Sequence, residues 1–428
     1  MRRELRCRIV VGDRGRTVRF LVRIMLLGLA ASVRAADAQD VLAPPPEVSV
    51  VPPALQQLPP SEMQVFPPVE RVPNLEQVSP LQWGSLSLRP HFFYQFLYGD
   101  GIQSSPGQHE KTAINAISPG LLLGIGSHWS IDYTPTMTFY SNSAFRDTTA
   151  QNVIMTGGTA YENWVLGLSQ RYSYSSDPQV ETGGQTSQDE YSTTVNATYQ
   201  FSRQMSLEMS VNQDFVFPSD LTESREWSTL DWLDYQFWPR FGAGIGVGFG
   251  YTDVNVGNDS INGQLQARIN WRATDKLSLQ AGGGADDRHF FGGGTSDLIN
   301  PIYSVSVQYQ PTEATTILLS GSGTVGTSYF TNQVTETYGV SVTVSQRLLK
   351  RLLLTLSGGY QNVMYTSTAS GVSAGRNDET YSFSARLGTT FLQRGTIAAV
   401  YQYSDNTSNQ SGFGYTSNQV GFELGYRY

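Results

Sequence analysis

The last nine residues alternate strictly between apolar side chains and polar or small ones. Val420, Phe422, Leu424, Tyr426 and Tyr428 take every second position, with Gly421, Glu423, Gly425 and Arg427 between them. Successive side chains of a β-strand point to opposite faces of the sheet. One face of this strand therefore suits hydrocarbon, and the other suits water. The pattern predicts a strand that lies between lipid and an aqueous space.

The same two-sided alternation recurs in earlier segments of the chain. It is clear in 265–271, 338–344, 352–360 and 381–391. The charged residues Arg268, Arg386, Glu423 and Arg427 all fall on the polar face. An Arg or Lys facing the middle of a bilayer would cost about 2–4 kcal/mol. The pattern therefore indicates strands with lipid outside and water inside, and aromatic residues near the strand ends are typical of membrane interfaces.

A regular spacing of short breaks sets the number of strands. The breaks fall near Ser127, Glu162, Ser202, Trp238, Thr274, Thr312, Leu349 and Gln393, and the segments between them are long, polar and rich in Gly, Ser, Asn and Asp. Eight tight turns at one end imply nine hairpins. We predict an all-β fold, a transmembrane antiparallel up-and-down β-barrel of eighteen strands over residues 81–428, with sixteen strands as the alternative. Closing the sheet leaves no free edge in lipid.

The first 80 residues have a different composition. Eight arginines precede a short apolar run at Ile24–Ala31, and small residues follow at the spacing of a cleavage site. Residues 1–38 are therefore predicted to be a secretory signal peptide. Residues 39–80 contain eleven prolines and predict an extended, disordered Pro-rich periplasmic linker. This linker is interpreted as a plain spacer, or alternatively as a tether to peptidoglycan or a periplasmic partner.

Charge and cysteine content exclude several function classes. Residues 1–38 hold nine of the 28 basic residues and three of the 36 acidic ones, so the remaining chain has a net charge of −14. Such an acidic chain argues against a nucleic-acid partner, because phosphate binding needs a basic patch. The single cysteine, Cys7, lies in the predicted signal peptide. No cofactor and no metal site of the His/Cys type is expected.

Three short motifs near the carboxy terminus resemble a known family. They are Arg376–Tyr381, which reads Arg-Asn-Asp-Glu-Thr-Tyr, the Tyr-x-Tyr strand at Tyr401–Tyr403 with its Ser/Asn loop, and Tyr415–Val420. They resemble the closing hairpins of the putative beta-barrel porin 2 family, some of whose members lie beside exopolysaccharide gene clusters. The resemblance covers about the last 55 residues. It implies an outer-membrane barrel without catalytic residues, and an aromatic end that the barrel assembly machinery recognises.

The polar faces supply the candidate site. Residues predicted to line the pore are Arg171, Glu208, Asp214, Arg268, Arg386, Glu423 and Arg427. Opposed basic and acidic walls would favour polar solutes and tune ion preference; structural ion pairs are the alternative. Val420, Phe422, Leu424, Tyr426 and Tyr428 are predicted to face lipid and to form the assembly signal. Asp286–His289 is predicted to be a water-exposed loop cluster rather than an Asp/His protease-like pair. The five alternating glycines of 242–250 are predicted to form a strand rather than a phosphate loop.

These features predict a water-filled, porin-like channel for small polar solutes in the outer membrane, with both termini in the periplasm. The outer-membrane lipid and the barrel assembly machinery are the expected partners, and no enzymatic activity is expected. An accessory or structural barrel in exopolysaccharide export is the alternative, and a barrel enzyme is a minor one.

Overall fold

The computed structural model describes residues 81–292, 297–372, 374–392 and 394–427. The predicted signal peptide (1–38), the Pro-rich linker (39–80) and Tyr428 lie outside these residues. The described chain is built of β-strands, and within it no helix is long and apolar enough to cross a membrane. The strands are β1 Leu81–Trp83, β2 Leu86–Ser105, β3 Gln108–Ile125, β4 Trp129–Tyr133, β5 Thr136–Tyr140, β6 Thr148–Tyr161, β7 Trp164–Ser175, β8 Pro178–Gln179, β9 Gly184–Gln185, β10 Gln188–Gln200, β11 Met205–Pro218, β12 Ser224–Trp238, β13 Phe241–Val254, β14 Ser260–Thr274, β15 Leu277–Phe290, β16 Leu298–Thr312, β17 Thr315–Thr327, β18 Gln333–Leu348, β19 Leu352–Ser367, β20 Asn377–Phe391, β21 Gly395–Ser408 and β22 Tyr415–Arg427.

The strands form one closed antiparallel barrel. Each long strand pairs with its neighbours in the chain, and β22 pairs with β2, from His91 opposite Arg427 to Asp100 opposite Asn418. β4 and β5 are two halves of one barrel strand, because both pair with β3 and with β6. The barrel therefore has eighteen strands, and the predicted number is confirmed. All eight predicted short turns are present at the same end of the barrel.

The barrel departs from the predicted strands in two respects. The third strand is broken at Pro135, because proline has no N–H to give to the ladder; Thr134 on its flank keeps both backbone hydrogen bonds to Asn152. Several strands also run further than their sequence predicts. β15 continues to Phe290 and β20 begins at Asn377, so segments that look like loops in composition are paired backbone.

Along the strands the apolar side chains are exposed and the polar ones are buried, which is the reverse of the arrangement in a soluble protein. On β22 Phe422 is 40% exposed, whereas the neighbouring Glu423 is only 5% exposed. On β13 Ile245 and Phe249 face outward while the glycines between them face inward. Trp129, Trp164, Trp238 and Trp271 lie near the short-turn end. The outward face is thus an apolar band with aromatic residues at its margin, and the polar groups are turned inward.

One carboxylate interrupts the outward band at mid-strand. Asp231 on β12 faces outward and accepts a hydrogen bond from the backbone N–H of Ser210 at 3.3 Å. The β11–β12 register skips these positions, and the Ser210 hydroxyl donates to the Leu230 carbonyl at 2.8 Å. The two side chains take the place of missing ladder bonds, which reduces the cost of a polar group on this face.

Candidate functional site

The barrel lumen is the candidate site, and the pairing register defines the side chains that face it. Cross-strand partners share a face, so the inward face can be followed from Glu423 through every ladder back to Gln95. All seven residues predicted at the pore lie on this inward face: Arg171, Glu208, Asp214, Arg268, Arg386, Glu423 and Arg427. Whether they line a conducting pore remains a prediction.

Arg268 forms the largest ion network of the short-turn half. Its Nε donates to Asp234 Oδ1 at 2.8 Å, and its Nη2 contacts Asp234 and donates to Glu208 at 2.6 Å. The guanidinium also lies 4.3 Å from the ring centre of Trp232. Sequence reasoning placed Arg268 and Glu208 on the inward face but missed Asp234 and Trp232. One arginine therefore joins the inward faces of β11, β12 and β14.

The glycines of β13 make room for this network. An added Cβ would lie 2.3 Å from Asp234 Oδ1 at Gly244 and 2.8 Å from the Trp232 ring at Gly246. The side chains of β12 therefore lean over the 242–250 part of β13, which has no side chains of its own on this face. The segment is a strand with its glycines inward, as predicted, and close approach is the reason for the glycines.

Arg386 and Glu423 form a second inward ion pair. The Arg386 Nε donates to Glu423 Oε2 at 2.8 Å, and the Gln95 amide donates to Oε1 at 3.2 Å. This contact ties β20 to β22 and β22 to β2, across the closure of the barrel. Glu423 is therefore a structural contact at the seam in addition to a lumen residue.

The other three predicted residues are not brought together with these networks. Arg171 and Asp214 both lie opposite Ser192, one on each side of β10. Asp214 also lies directly opposite Glu226 of β12, so two carboxylates face each other across one ladder. Arg427 lies at the short-turn mouth, opposite His91. The inward charges thus form a wall of separate clusters rather than one pocket.

The interpretation of Asp286–His289 as an exposed loop cluster is wrong. These residues lie on β15, where alternation turns Asp286 and Arg288 inward, with 1% and 3% of their surface exposed. Asp286 Oδ2 accepts hydrogen bonds from Asn262 and Gln264 at 2.7 Å each. The charge density of the segment suggested a loop, but cross-strand amides on β14 solvate the carboxylate.

A long segment between β7 and β10 crosses the mouth of the barrel opposite the short turns. Residues 176–187, the cap, include the small hairpin of β8 and β9. The Glu181 carboxylate accepts hydrogen bonds from the Ser328 hydroxyl at 2.7 Å and the Tyr329 N–H at 2.9 Å. The cap leaves the barrel between its fifth and sixth strands, whereas Ser328 follows the thirteenth. The cap therefore spans the lumen to the opposite wall.

Arg376 fastens the far end of the cap. Its Nη1 donates to the Glu181 carbonyl at 2.7 Å and its Nη2 to the Val180 carbonyl at 3.0 Å. The same guanidinium binds Asp378 and lies 3.7 Å from the ring centre of Phe413. Arg376 and Asp378 open the motif that resembles the porin family, but its sequence gave no sign of a contact 195 residues away. In the fold, the first residue of the motif binds the backbone of the cap.

A second segment, residues 141–147 between β5 and β6, fills part of the lumen beneath the near end of the cap. Phe145, between β5 and β6, stacks on Tyr140 with ring centres 5.1 Å apart. It belongs to a buried apolar cluster with Leu97, Ile102, Ile114 and Val400. The backbone of Arg146 then exchanges two hydrogen bonds with the Gln185 amide of the cap, at 2.8 and 2.9 Å. The cap is therefore held on both walls.

We predict that closure of the cap depends on pH through Glu181. Burial of its carboxylate raises the pKa of Glu181, against the opposing effects of its hydrogen bonds and of Arg376. A raised pKa in the closed state means that protonation favours closure, an effect that is lost as pH rises through that pKa. We expect the conductance to fall as pH decreases from 7 to 4.5. Glu181→Gln should be less conductive at pH 7 and insensitive to pH over this range; an unchanged pH profile would contradict the assignment.

A closed, inside-polar barrel of eighteen strands with an apolar outward face defines the class: this is a transmembrane β-barrel. Residues 252–428 match the model of the family described as Putative beta-barrel porin 2, which confirms the family resemblance for this part of the chain. The matched region comprises β14 to β22, nine of the eighteen barrel strands. No curated protein matches the chain.

Solved structures with a similar fold include outer-membrane proteins of Pseudomonas aeruginosa. OccK11 (OpdR) is 10% identical with a TM-score of 0.41, over 79% of this chain and 95% of that one. The outer membrane protein opdK is 11% identical with a TM-score of 0.42, over 80% and 98%. OccK2 (OpdF), solved in complex with glucuronate, is 10% identical with a TM-score of 0.44, over 79% and 97%.

Proposed function

We propose that this protein is a water-filled channel for small polar solutes across the outer membrane, with both chain termini on the periplasmic side. The inverted exposure of the strands is the observation that supports it: apolar side chains face outward while ion pairs and amides face the lumen. A barrel of this size encloses water unless segments of the chain fill it. Ions and polar solutes would exchange water for the hydroxyls, amides and charges of the wall.

The short turns at one end support the orientation. Outer-membrane barrels have short periplasmic turns and longer extracellular loops. The described amino end of the barrel and β22 both lie at the short-turn end, whereas the cap and its latch lie at the other. The cap thus narrows the lumen on the extracellular side.

Single-channel recording in planar bilayers tests the proposal. We expect the purified, heat-modifiable barrel to give discrete conductance steps, smaller than an unobstructed eighteen-stranded pore would give, because the cap occupies the mouth. Liposomes containing the protein should swell in small neutral solutes and not in large oligosaccharides. A correctly folded barrel that remains electrically silent in every bilayer would overturn the channel.

The cap also favours a second candidate function. A segment latched to both walls suits a barrel that does not conduct freely, such as an accessory or structural barrel in exopolysaccharide export. Deleting the gene distinguishes the two: loss of polysaccharide export without a change in small-solute uptake would favour the accessory barrel. Slower uptake of small solutes with normal export would favour the channel.

A further inference from the structure

Inward-facing charges are segregated along the axis of the barrel. Within about seven residues of the short turns, the described inward strand positions hold six arginines and four carboxylates. The arginines are Arg89, Arg268, Arg272, Arg347, Arg386 and Arg427; the carboxylates are Asp132, Glu208, Asp234 and Glu423. The arginines outnumber the carboxylates, so this half of the lumen carries a net positive charge.

The half nearer the cap has the opposite sign. Its described inward strand positions hold six carboxylates, Glu110, Glu190, Asp214, Glu226, Asp286 and Asp378, and two arginines, Arg171 and Arg288. Two of the carboxylates, Asp214 and Glu226, lie directly opposite each other. Like charges so placed are destabilising in a sheet, which argues against a purely structural role for the pair.

From this arrangement we infer that the lumen is an axially bipolar channel, acidic towards the outer mouth and basic towards the periplasm, which rectifies ion current and favours zwitterionic solutes. The inference rests on the proposed channel function. Arg268 and Arg386 on one side, and Asp214 and Glu226 on the other, are the specificity-determining residues it names. Asp214 lies six residues along β11 from Glu208, which binds Arg268, so the two zones are about 20 Å apart along the strand. This distance exceeds a Debye length of about 8–10 Å at 0.1–0.15 M salt, so the two zones act separately.

The direction of rectification follows from the order of the zones. When the outer side is positive, cations enter through the acidic half and anions through the basic half, so both accumulate in the lumen. The opposite voltage depletes both ions. The current should therefore be larger with the outer side positive.

The solute preference has the same origin. A simple anion is repelled in the acidic half, and a simple cation in the basic half. A small zwitterion has no net charge, so neither half repels it, and with its cationic group towards the outer mouth it is stabilised by the field where the two zones meet. The wall therefore selects solutes that carry both charges over ions of similar size with only one.

Current–voltage curves of single oriented barrels test the inference. A biotinylated Ser411→Cys variant, bound by streptavidin from one side, reports which mouth faces which chamber. We expect a current ratio between opposite voltages of about 1.5 at 0.1 M KCl and about 1 at 1 M, because the Debye length shrinks to about 3 Å. Liposome swelling should be faster in glycine betaine than in the choline or acetate salts.

Reversing inward charges at the short-turn mouth tests whether these charges, rather than the asymmetric shape of the barrel, cause the rectification. Arg272→Glu with Arg347→Glu should bring the low-salt current ratio close to 1. Lys276→Glu with Lys350→Glu makes the same charge change in the turns outside the lumen and should leave the ratio unchanged. An ohmic wild-type channel, or equal rectification in both double variants, would overturn the inference while leaving the channel intact. A barrel with no conductance would overturn the proposed function itself.

Discussion

Replacing Phe422, Leu424 and Tyr426 together with Asp is expected to abolish assembly of the barrel. All three side chains lie on the outward face of β22, which closes the barrel against β2. Phe422 packs against Phe96 of β2, with ring centres 5.5 Å apart. A carboxylate in lipid costs less than the roughly 2–4 kcal/mol of an Arg or Lys, but three on one strand exceed what a marginal seam tolerates. The yield of heat-modifiable, protease-resistant barrel in outer-membrane fractions should fall at least about tenfold.

Two single variants of the same strand are the controls for this prediction. Gln419→Asp adds a carboxylate on the inward face and should assemble normally. Glu423→Gln keeps one oxygen to accept from Arg386, and its amide nitrogen can donate to Gln95 once the Gln95 amide flips, so we expect assembly with at most a modest loss of thermal stability. A normal yield from the triple variant would contradict the lipid-facing assignment and with it the register of the closing strand. The importance of Tyr428, which lies outside the described residues, stays a prediction.

The barrel could be predicted from sequence because its determinants are local. Period-two alternation fixes which side chains share a face, and tight turns such as those near Glu162 and Leu349 need only neighbouring residues. Both residues have a positive φ, about 50°, which the short connections impose on their backbone. Eighteen strands then follow from counting turns. The break at Pro135 could also have been read from the sequence, since proline removes a ladder bond.

The contents of the lumen could not be predicted in the same way. The Glu181–Ser328 contact joins residues 147 positions apart, and the Arg376–Val180 contact spans 196. Which loops meet across the mouth depends on strand number, tilt and loop length together, and no local pattern records this. Asp286 was misassigned for a related reason: a charged side chain favours a loop unless amides on a neighbouring strand solvate it, and those amides become visible only with the register.

Replacing Arg376 with Ala is expected to release the cap and to raise single-channel conductance roughly threefold, because most of the cross-section of an eighteen-stranded lumen is then free. Arg376 is 7% exposed and is bound at the same time to Asp378, to the Val180 and Glu181 carbonyls and to the face of Phe413. Removing one partner of a buried ion pair typically costs about 3–5 kcal/mol. This free energy is lost from the contact between the cap and the far wall, whereas the hydrogen bonds between the barrel strands are unchanged.

If Arg376→Ala misfolds, its conductance will fall instead of rising. Two further variants distinguish misfolding from release of the cap. Arg376→Leu with Asp378→Leu removes the latch without leaving Asp378 as an unpaired buried carboxylate, and should also conduct more than wild type. Arg225→Ala deletes an arginine near the same end of the barrel but on the outward face, where it pairs with Asp253, and should conduct like wild type.

Cleavage by a glutamate-specific protease after Glu181 gives a readout independent of current. It should be slow in wild type and Arg225→Ala and fast in both latch variants. Equal conductance and equal cleavage in all four proteins would show that the cap does not control the pore.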